Sequence, residues 1–242
     1  MEQYRAVWPM AVKARYLIYF QYFGTGYSGV MKSPSHQPVL GVQNYLEDAV
    51  QKLQPINEVN ISISSRTDSG VHALCNSAHL DIQRKEGKLP FSAELLVDAL
   101  NFHLKPEPIS VLKAFRVADN FNARFRALSR TYVYRLVTGC CHRSQLPVFE
   151  RNLCWPVANS HLEFWELTFR SRSFLYKQVR RMTGALVAVG QGKLMPRHIA
   201  DLLEVRDSRA YPQNIIAPPD GLFLKNVEYD TKDLEVGESV IQ

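Results

Sequence analysis

The stretch Ile61–Ile82, ISISSRTDSGVHALCNSAHLDI, places a short polar loop between two segments in which apolar and polar residues alternate. The first segment is ISIS and the second ends in Ala78–Ile82. Alternation with a period of two is typical of half-buried β-strands. The loop between them, Ser65–Ala73, is the kind of connection that commonly carries functional residues. The stretch therefore predicts a sheet with a candidate functional loop between two of its strands.

Strand and helix patterns continue on both sides of this stretch. Alternating or apolar segments predict further strands at Arg15–Phe23, Val111–Val117, Ser129–Thr138, Trp165–Phe169 and Gly221–Tyr229. Apolar residues at helical spacing predict helices at Val42–Leu53, after an N-capping Ser92, along Leu175–Val189 and from Pro196. This order predicts an α+β fold in two halves, residues 15–116 and 117–230, joined near Arg116–Asn122. Residues 1–14 and 231–242 are predicted to be tails.

Composition narrows the class of protein. Of the 242 residues, 46% are hydrophobic, yet no apolar run is long enough to span a bilayer, so we expect no membrane partner. The four cysteines do not form a disulfide framework, which favours a reducing compartment. The N-terminus suits either a mitochondrial or a cytoplasmic protein, and the sequence does not decide between them. The formal net charge of +6, with arginines concentrated in the middle third, favours a polyanionic partner.

Asp68 is the candidate reactive residue of the loop. Its neighbours Thr67, Ser69 and Gly70 are small, so the carboxylate is approachable, and Arg66 is close enough in sequence to form an ion pair with it. A carboxylate beside a cation can act as a nucleophile. An Asx turn in a hairpin loop would explain Asp-Ser-Gly without any catalysis. The residues alone leave both interpretations open.

Five motifs, in the same order along the chain, resemble those of the TruA-type tRNA pseudouridine synthases. RTDSGVHA at Arg66–Ala73 resembles the catalytic loop of that family, with Ser69 in place of its usual alanine and Ser65 in place of the preceding glycine. The other four are YFGTGYSG at Tyr22–Gly29, FNARFRALSRTYVYR at Phe121–Arg135, FLYKQVRRMTG at Phe174–Gly184 and APPDGLFL at Ala217–Leu224. Because the motifs extend over nearly the whole chain, it is identified as a member of this family.

The resemblance implies an enzyme that isomerises specific uridines in tRNA to pseudouridine. It implies a mixed, mainly antiparallel sheet built from both halves and flanked by helices, with the active-site cleft in the centre. It assigns Asp68 as the nucleophile, Arg180 as the cation beside it, and Tyr132 as the residue that stacks on the base and takes part in proton transfer. The expected substrate-binding residues are Arg66, Arg124, Arg130 and Tyr132.

The resemblance also bears on cofactors and partners. Pseudouridine formation is an isomerisation, so no cofactor and no metal ion are expected. The expected partners are tRNA and, in a homodimer, a second copy of the chain. Cys140, Cys141, His142 and Cys154 match no standard zinc spacing, so we expect no metal site there. His72 belongs to the loop motif and is expected to pack the loop rather than to move a proton.

Two other functions fit parts of the sequence. Only four residues lie between Val157 and Leu162, where the family has tens of residues that include a helix. The alternative function is therefore a non-catalytic RNA-binding variant that keeps the motifs but lacks a complete second half. A hydrolase could instead use Asp68 with Asp81 or Glu94 as a carboxylate pair, although neither partner lies in a comparable loop.

Overall fold

Eight strands form one sheet in the structure, a computed structural model in which residues 12–207 and 209–234 are described. The strands are β1 (Lys13–Tyr22), β2 (Ile61–Ile63), β3 (His72–Gln83), β4 (Ile109–Val117), β5 (Ser129–Thr138), β6 (Trp155–Val157), β7 (Glu163–Ser171) and β8 (Leu222–Glu228). The helices are α1 (Val42–Lys52), α2 (Ala93–Leu104), α3 (Gln178–Gly190), α4 (Pro196–Val205) and α5 (Thr231–Leu234).

The sheet is mixed and mainly antiparallel, which confirms the predicted α+β class. β1 pairs antiparallel with β3 and β4, β2 with β3, and β5 with β7 and β8. Only β3–β8 and β5–β6 are parallel among the described strand pairs. The strands of residues 13–117 meet those of residues 129–228 where β3 lies beside β8, with His72 opposite Phe223 and Ala73 opposite Leu224.

Helices α1 and α2 pack against each other, and both halves share one core of buried side chains that includes residues of both helices and of β1. β1 is buried on both faces, because Leu17 and Ile18 point to opposite sides and both are inaccessible to solvent. Ser92 caps α2 as predicted, since its Oγ accepts a hydrogen bond from the Leu95 amide at 3.2 Å. Full burial of a side chain such as Leu17 or Ile18 stabilises the folded state by about 1.5–3 kcal/mol.

The helix predicted along Leu175–Val189 is shorter than its apolar spacing suggests. α3 begins at Gln178 because Lys177, immediately before it, has the left-handed backbone φ of +57°. Leu175 therefore lies outside the helix and is exposed. No helix in the described part of the chain is both long and apolar enough to cross a membrane.

The bounds predicted for both tails include residues that belong to strands or helices. β1 begins at Lys13, whose Nζ lies 3.3 Å from the Asp81 carboxylate of the neighbouring strand, so residues 13 and 14 belong to the sheet. At the other end, Thr231–Leu234 form α5 and Leu234 packs against the core. The remaining tail residues, 1–11 and 235–242, lie outside the described residues.

The connection between β6 and β7 is tight, and β7 is poorly covered. Gly139 has a φ of +77°, and a Cβ there would lie 2.6 Å from the His161 backbone, so the short connection passes directly against this glycine. On β7, Phe164 and Trp165 are exposed, the latter to 50%. Part of the apolar surface of the second half is therefore in contact with solvent.

Candidate active site

The loop that carries Asp68 is fixed by the last residue of β1 and by a residue that follows this strand. The Tyr22 and Thr67 hydroxyls share a hydrogen bond of 2.7 Å, and the Val30 amide donates to the Thr67 carbonyl at 3.2 Å. Gly70 has a φ of +78°, a left-handed conformation that glycine adopts without strain, and it lets the chain turn after Asp68 into β3. The small residues around Asp68 thus form a tight turn held on one side by the first strand.

Arg180 is the cation beside Asp68. Its Nη1 lies 3.4 Å from Asp68 Oδ2, and the two side chains are 13% and 26% exposed, so solvent can still reach the carboxylate. The Asp68 carboxylate contacts Arg180 and makes no hydrogen bond to its own loop among the described residues, so the Asx-turn interpretation is wrong.

Arg180 is itself held in place by the segment that leads to β8. Its Nε donates to the Ala217 carbonyl at 2.7 Å, and the Ala217 amide donates to the Arg180 carbonyl at 3.2 Å. Arg181 points elsewhere, with its guanidinium 5.7 Å from the ring centre of Tyr211. Only Arg180 of this adjacent pair therefore faces the Asp68 carboxylate, as the angle of about 100° between successive helical residues requires.

Arg66 was the second candidate for pairing with Asp68. The side chain is exposed and makes no ion pair with Asp68 among the described residues. It lines the cleft beside the carboxylate. Among residues 12–207 and 209–234, no hydrogen-bond or ion-pair partner holds the Arg66 guanidinium at the cleft wall.

Tyr132 lies on β5 and is almost completely buried. Its ring meets the Phe174 ring edge to face, with 5.3 Å between ring centres and 88° between planes. Burial is the main cause that raises the pKa of Tyr132 well above the usual value, and Tyr22 and Asp68 nearby add to the effect. Its hydroxyl is therefore protonated at neutral pH.

These residues line one cleft of about 290 Å³. Its walls are Arg66, Thr67, Asp68, Val71, Tyr132, Phe174, Leu175, Tyr176, Lys177, Gln178, Val179, Arg180 and Leu222. A second cleft of about 300 Å³ shares Arg66, Tyr132 and Phe174 with the first and extends to Arg124 and Phe125. The structure therefore brings the three predicted catalytic residues and Arg66 into one cleft, with Arg124 in the adjoining one.

Arg130 lines the second cleft with the other predicted substrate-binding residues, but its guanidinium is bonded within the chain. It is buried, and its guanidinium donates to the carbonyls of Ser64, Arg124 and Arg172 at 3.1, 2.9 and 2.6 Å and to Ser65 Oγ at 3.0 Å. Burial lowers the pKa of Arg130 below its usual value. Its donors are directed to oxygens of the chain itself, so it ties the start of the loop to the walls of the second cleft.

His72 has the packing role expected of it. Its Nδ1 accepts from the Gly24 amide and its Nε2 donates to the Asn152 carbonyl, both at 3.0 Å. The ring stacks on Phe223 with 4.7 Å between ring centres, and burial lowers the pKa of His72. Both ring nitrogens are therefore used to hold neighbouring segments together.

The carboxylate pair required by the hydrolase alternative is absent from the described cleft. Asp81 lies beside Arg15, whose Nε and Nη2 donate to it at 2.7 and 2.9 Å. Glu94 lies in the first turn of α2. Neither lines the cleft with Asp68, whose described walls contain no second acidic residue.

No zinc site is expected among Cys140, Cys141, His142 and Cys154. Cys140 and Cys154 are buried in a small apolar cluster with Val137 and Leu146. Within residues 12–207 and 209–234, no group of three or more histidine, cysteine, aspartate or glutamate side chains is arranged to hold a metal ion.

Sequence reasoning missed three residues of the site. Phe174 packs against Tyr132, Tyr22 holds the loop through Thr67, and Ala217 holds Arg180. All three lie inside motifs quoted above, so the signal for their proximity was present. The sequence did not show which side chains of those motifs touch one another.

Comparison with known proteins shows the family to which the chain is similar. The family model described as tRNA pseudouridine synthase matches residues 18–126 and 147–230. The chain is 52% identical to tRNA pseudouridine synthase-like 1 of Xenopus laevis, over 92% of this chain and 93% of that protein. It is 44% identical to tRNA pseudouridine synthase-like 1 of Homo sapiens, over 90% and 91% of the two chains. It is 34% identical to tRNA pseudouridine synthase A of Maricaulis maris (strain MCS10), over 89% and 98%.

The length of one alignment also bears on whether this chain lacks a segment that a relative possesses. The Xenopus laevis alignment extends over 279 positions, whereas 92% of the 242 residues is about 223, so about 56 positions have no residue in this chain. This difference supports the inference that the chain lacks a segment that its relatives possess. The family model matches Asp68, Arg66, Arg124 and Arg180, whereas Arg130 and Tyr132 lie between its two matched segments. The chain belongs to the tRNA pseudouridine synthase family.

Proposed function

We propose that this chain converts specific uridines of tRNA to pseudouridine, with Asp68 as the nucleophile. The observation that carries the proposal is the Asp68–Arg180 pair, 3.4 Å apart, in a cleft that Tyr132 also lines. The relatives are tRNA pseudouridine synthases by name, which supports tRNA as the substrate.

The reaction needs one exchange of bonds and no net oxidation or reduction. The bond between C1′ of the ribose and N1 of uracil breaks, the base turns, and C1′ bonds to C5. C5 loses its proton and N1 gains one, so the product is an isomer of the substrate. A carboxylate nucleophile can hold one fragment covalently while the base turns, as carboxylates do in retaining glycosidases.

Asp68 and Arg180 suit this step together. The carboxylate must be ionised to attack, whether at the ribose or at the uracil ring. A guanidinium stays charged in a desolvated site, so Arg180 favours the ionised carboxylate when the substrate displaces water from the cleft. Ala217 fixes this guanidinium from the other side, which limits the reorganisation needed during the reaction.

Tyr132 would supply a proton or a hydrogen bond to the base. Because burial raises its pKa, the hydroxyl enters the reaction as a donor rather than as a phenolate. A uridine in folded RNA must leave its stack before Asp68 can reach it, and an aromatic ring beside a carboxylate suits an extruded base.

The arginines around the cleft would hold the RNA in different ways. Arg66 and Arg124 are exposed and line the two clefts, so they suit contacts with phosphates. Arg130 would act by positioning, since its donors bind the carbonyls of the cleft walls. The homodimer implied by the family resemblance stays a prediction, as does the choice between mitochondrion and cytoplasm.

Replacement of Asp68 by asparagine tests the nucleophile. We expect Asp68→Asn to lose pseudouridine formation in tRNA and to keep near-normal tRNA affinity, because asparagine is isosteric but a poor nucleophile. Asp48→Asn is the control, since Asp48 is exposed on α1 and lines neither cleft. An Asp68→Asn protein that retains a tenth of the wild-type turnover contradicts the assignment.

One observation favours the alternative of a non-catalytic RNA-binding variant. Phe164 and Trp165 of β7 are exposed, as expected if the second half lacks a covering segment. The same assay separates the two functions. Wild-type chain that binds tRNA but forms no pseudouridine would support the binding variant.

A further inference from the structure

Two aromatic side chains project into the clefts while remaining exposed. Phe125 lines the second cleft and is 74% exposed, and Tyr176 lines the catalytic cleft and is 70% exposed. The two clefts adjoin, because they share Arg66 and Tyr132, and together they are called the groove below. Tyr176 lies in the cleft that Asp68 lines, and Phe125 lies in the adjoining one. Large apolar side chains grouped on a surface commonly mark an interaction site.

Each aromatic ring has a cation beside it. The Arg124 guanidinium lies 5.7 Å from the centre of the Phe125 ring, and Lys177 Nζ lies 4.9 Å from the centre of the Tyr176 ring. An aromatic face with a neighbouring cation matches a nucleotide, since the base can stack on the ring while the cation binds the phosphate. The groove therefore offers this arrangement twice, once in each cleft.

The Phe125 side chain is displayed by a rigid turn. Asn122 Oδ1 accepts from the amides of Arg124 and Phe125 at 3.0 and 3.2 Å. The buried Arg130 guanidinium donates to the Arg124 carbonyl at 2.9 Å. Since the backbone on either side of the ring is held, little additional backbone has to be ordered when a base stacks on the ring.

The Tyr176 side chain is displayed in a comparable way. Gln178 Oε1 accepts from the Leu175 amide at 2.8 Å, and the Gln178 amide donates to the Leu175 carbonyl at 3.0 Å. These two bonds close a turn around Tyr176, and the left-handed Lys177 ends it where α3 begins. The ring therefore projects into the cleft from a closed turn.

We propose that Phe125 with Arg124, and Tyr176 with Lys177, are two stacking subsites for the unpaired nucleotides on either side of the reacting uridine. The proposal rests on the proposed function, because the uridine at Asp68 fixes which nucleotides reach the two rings. RNA that presents its target in a single-stranded or opened segment would then bind better than RNA that keeps the flanking bases paired.

Binding of a short single strand tests the subsites without any catalytic step. The probe is a 5′-fluorescein-labelled heptauridylate, and its affinity is measured by fluorescence anisotropy at low salt. We expect Phe125→Ala and Tyr176→Ala each to weaken binding about tenfold, within the range measured for loss of one stacked base. Phe125→Tyr and Tyr176→Phe keep an aromatic ring and should bind like the wild type.

Two other exposed aromatic residues provide matched controls. Phe102 on α2 and Phe149 are 69% and 89% exposed and line neither cleft, so Phe102→Ala and Phe149→Ala should leave heptauridylate affinity unchanged. Thermal unfolding of every variant should match the wild type, because all four rings lie on the surface.

Several outcomes overturn the proposal. Wild-type affinity in both cleft variants, an equal loss in the controls, or no binding of heptauridylate by the wild type would each do so. Wild-type affinity in Phe125→Leu and Tyr176→Leu would assign the effect to apolar area and overturn stacking. Cleft-specific binding without pseudouridine formation in tRNA would overturn the proposed function alone.

Discussion

Replacing Gly184 by alanine should push the segment that holds Arg180 away from α3. Gly184 lies inside α3, and a Cβ there would lie 1.8 Å from the Ile215 carbonyl oxygen and 3.0 Å from the Ala217 nitrogen. Both are backbone atoms and cannot rotate aside. The Ile215 carbonyl must therefore move by about 1.5 Å to reach ordinary contact distance.

The displacement acts on stability and on the site. Alanine favours a helix over glycine by about 1 kcal/mol, but overpacking a tight contact costs about 1–3 kcal/mol or more. For a net loss of about 2 kcal/mol, a chain of this size should melt about 4–8 °C lower. Because Ala217 binds Arg180 at both its backbone and its Nε, a shift of about 1 Å there should lower turnover about 100-fold.

Gly190 provides the control within the same helix. A Cβ at Gly190 would meet nothing within 4 Å, so Gly190→Ala should leave stability unchanged or slightly raised. The measurements are the melting temperature by circular dichroism and single-turnover pseudouridine formation. If Gly184→Ala has the melting temperature and turnover of Gly190→Ala, the inferred coupling between this helix contact and the Asp68–Arg180 pair is refuted.

Three further predictions follow from the site and the buried histidines. Arg180→Ala should lower turnover at least 100-fold and Arg181→Ala less than tenfold. Equal mild effects would contradict the assignment of Arg180 as the cation that acts on Asp68. Tyr132→Phe should bind tRNA normally but lower turnover about 100-fold or more, so a normal rate would exclude its hydroxyl from the chemistry. Burial lowers the pKa of His72 and His79, so the unfolded chain binds more protons than the folded chain below the usual histidine pKa of about 6.5. The stability that the two neutral histidines contribute is complete above that pH and is lost as the pH falls through their pKa values in the folded chain. The melting temperature should therefore fall between pH 7.5 and pH 5, and a flat profile would contradict this.

Regular elements with a consistent pattern were predictable from the sequence. β5 has the bounds Ser129–Thr138 that its alternation predicts, and α1 ends at Lys52, one residue before the predicted end. Leu175 was wrongly included in a helix because periodicity continues past Lys177, whereas the left-handed backbone at that residue starts the helix later. Hydrophobic spacing reports which face is apolar, but not where the backbone leaves the helical conformation.

The candidate site was predictable only as a set of residues. Motif resemblance brought Asp68, Tyr132 and Arg180 together, and the structure places them in one cleft. The position of Arg130 was not predictable, because arginine is most often exposed and its burial depends on carbonyls from three separate segments. The parallel pairing of β3 with β8 involves few residues and leaves no periodic signal in either strand.

The position of the exposed apolar surface on β7 determines whether the short connection after β6 affects stability or the catalytic residues. Asp68 precedes β3, Tyr132 lies on β5, and Ala217, which holds Arg180, precedes β8. Because β8 pairs with both β3 and β5, it joins the elements that carry the catalytic residues. Trp165 lies on β7, which contacts the opposite edge of β5. Each 100 Å² of apolar surface left in water there forfeits about 2.5 kcal/mol of burial. We therefore expect the shortened connection to lower the stability of the sheet around β7, whereas the described contacts that hold Asp68 and Arg180 lie outside that connection.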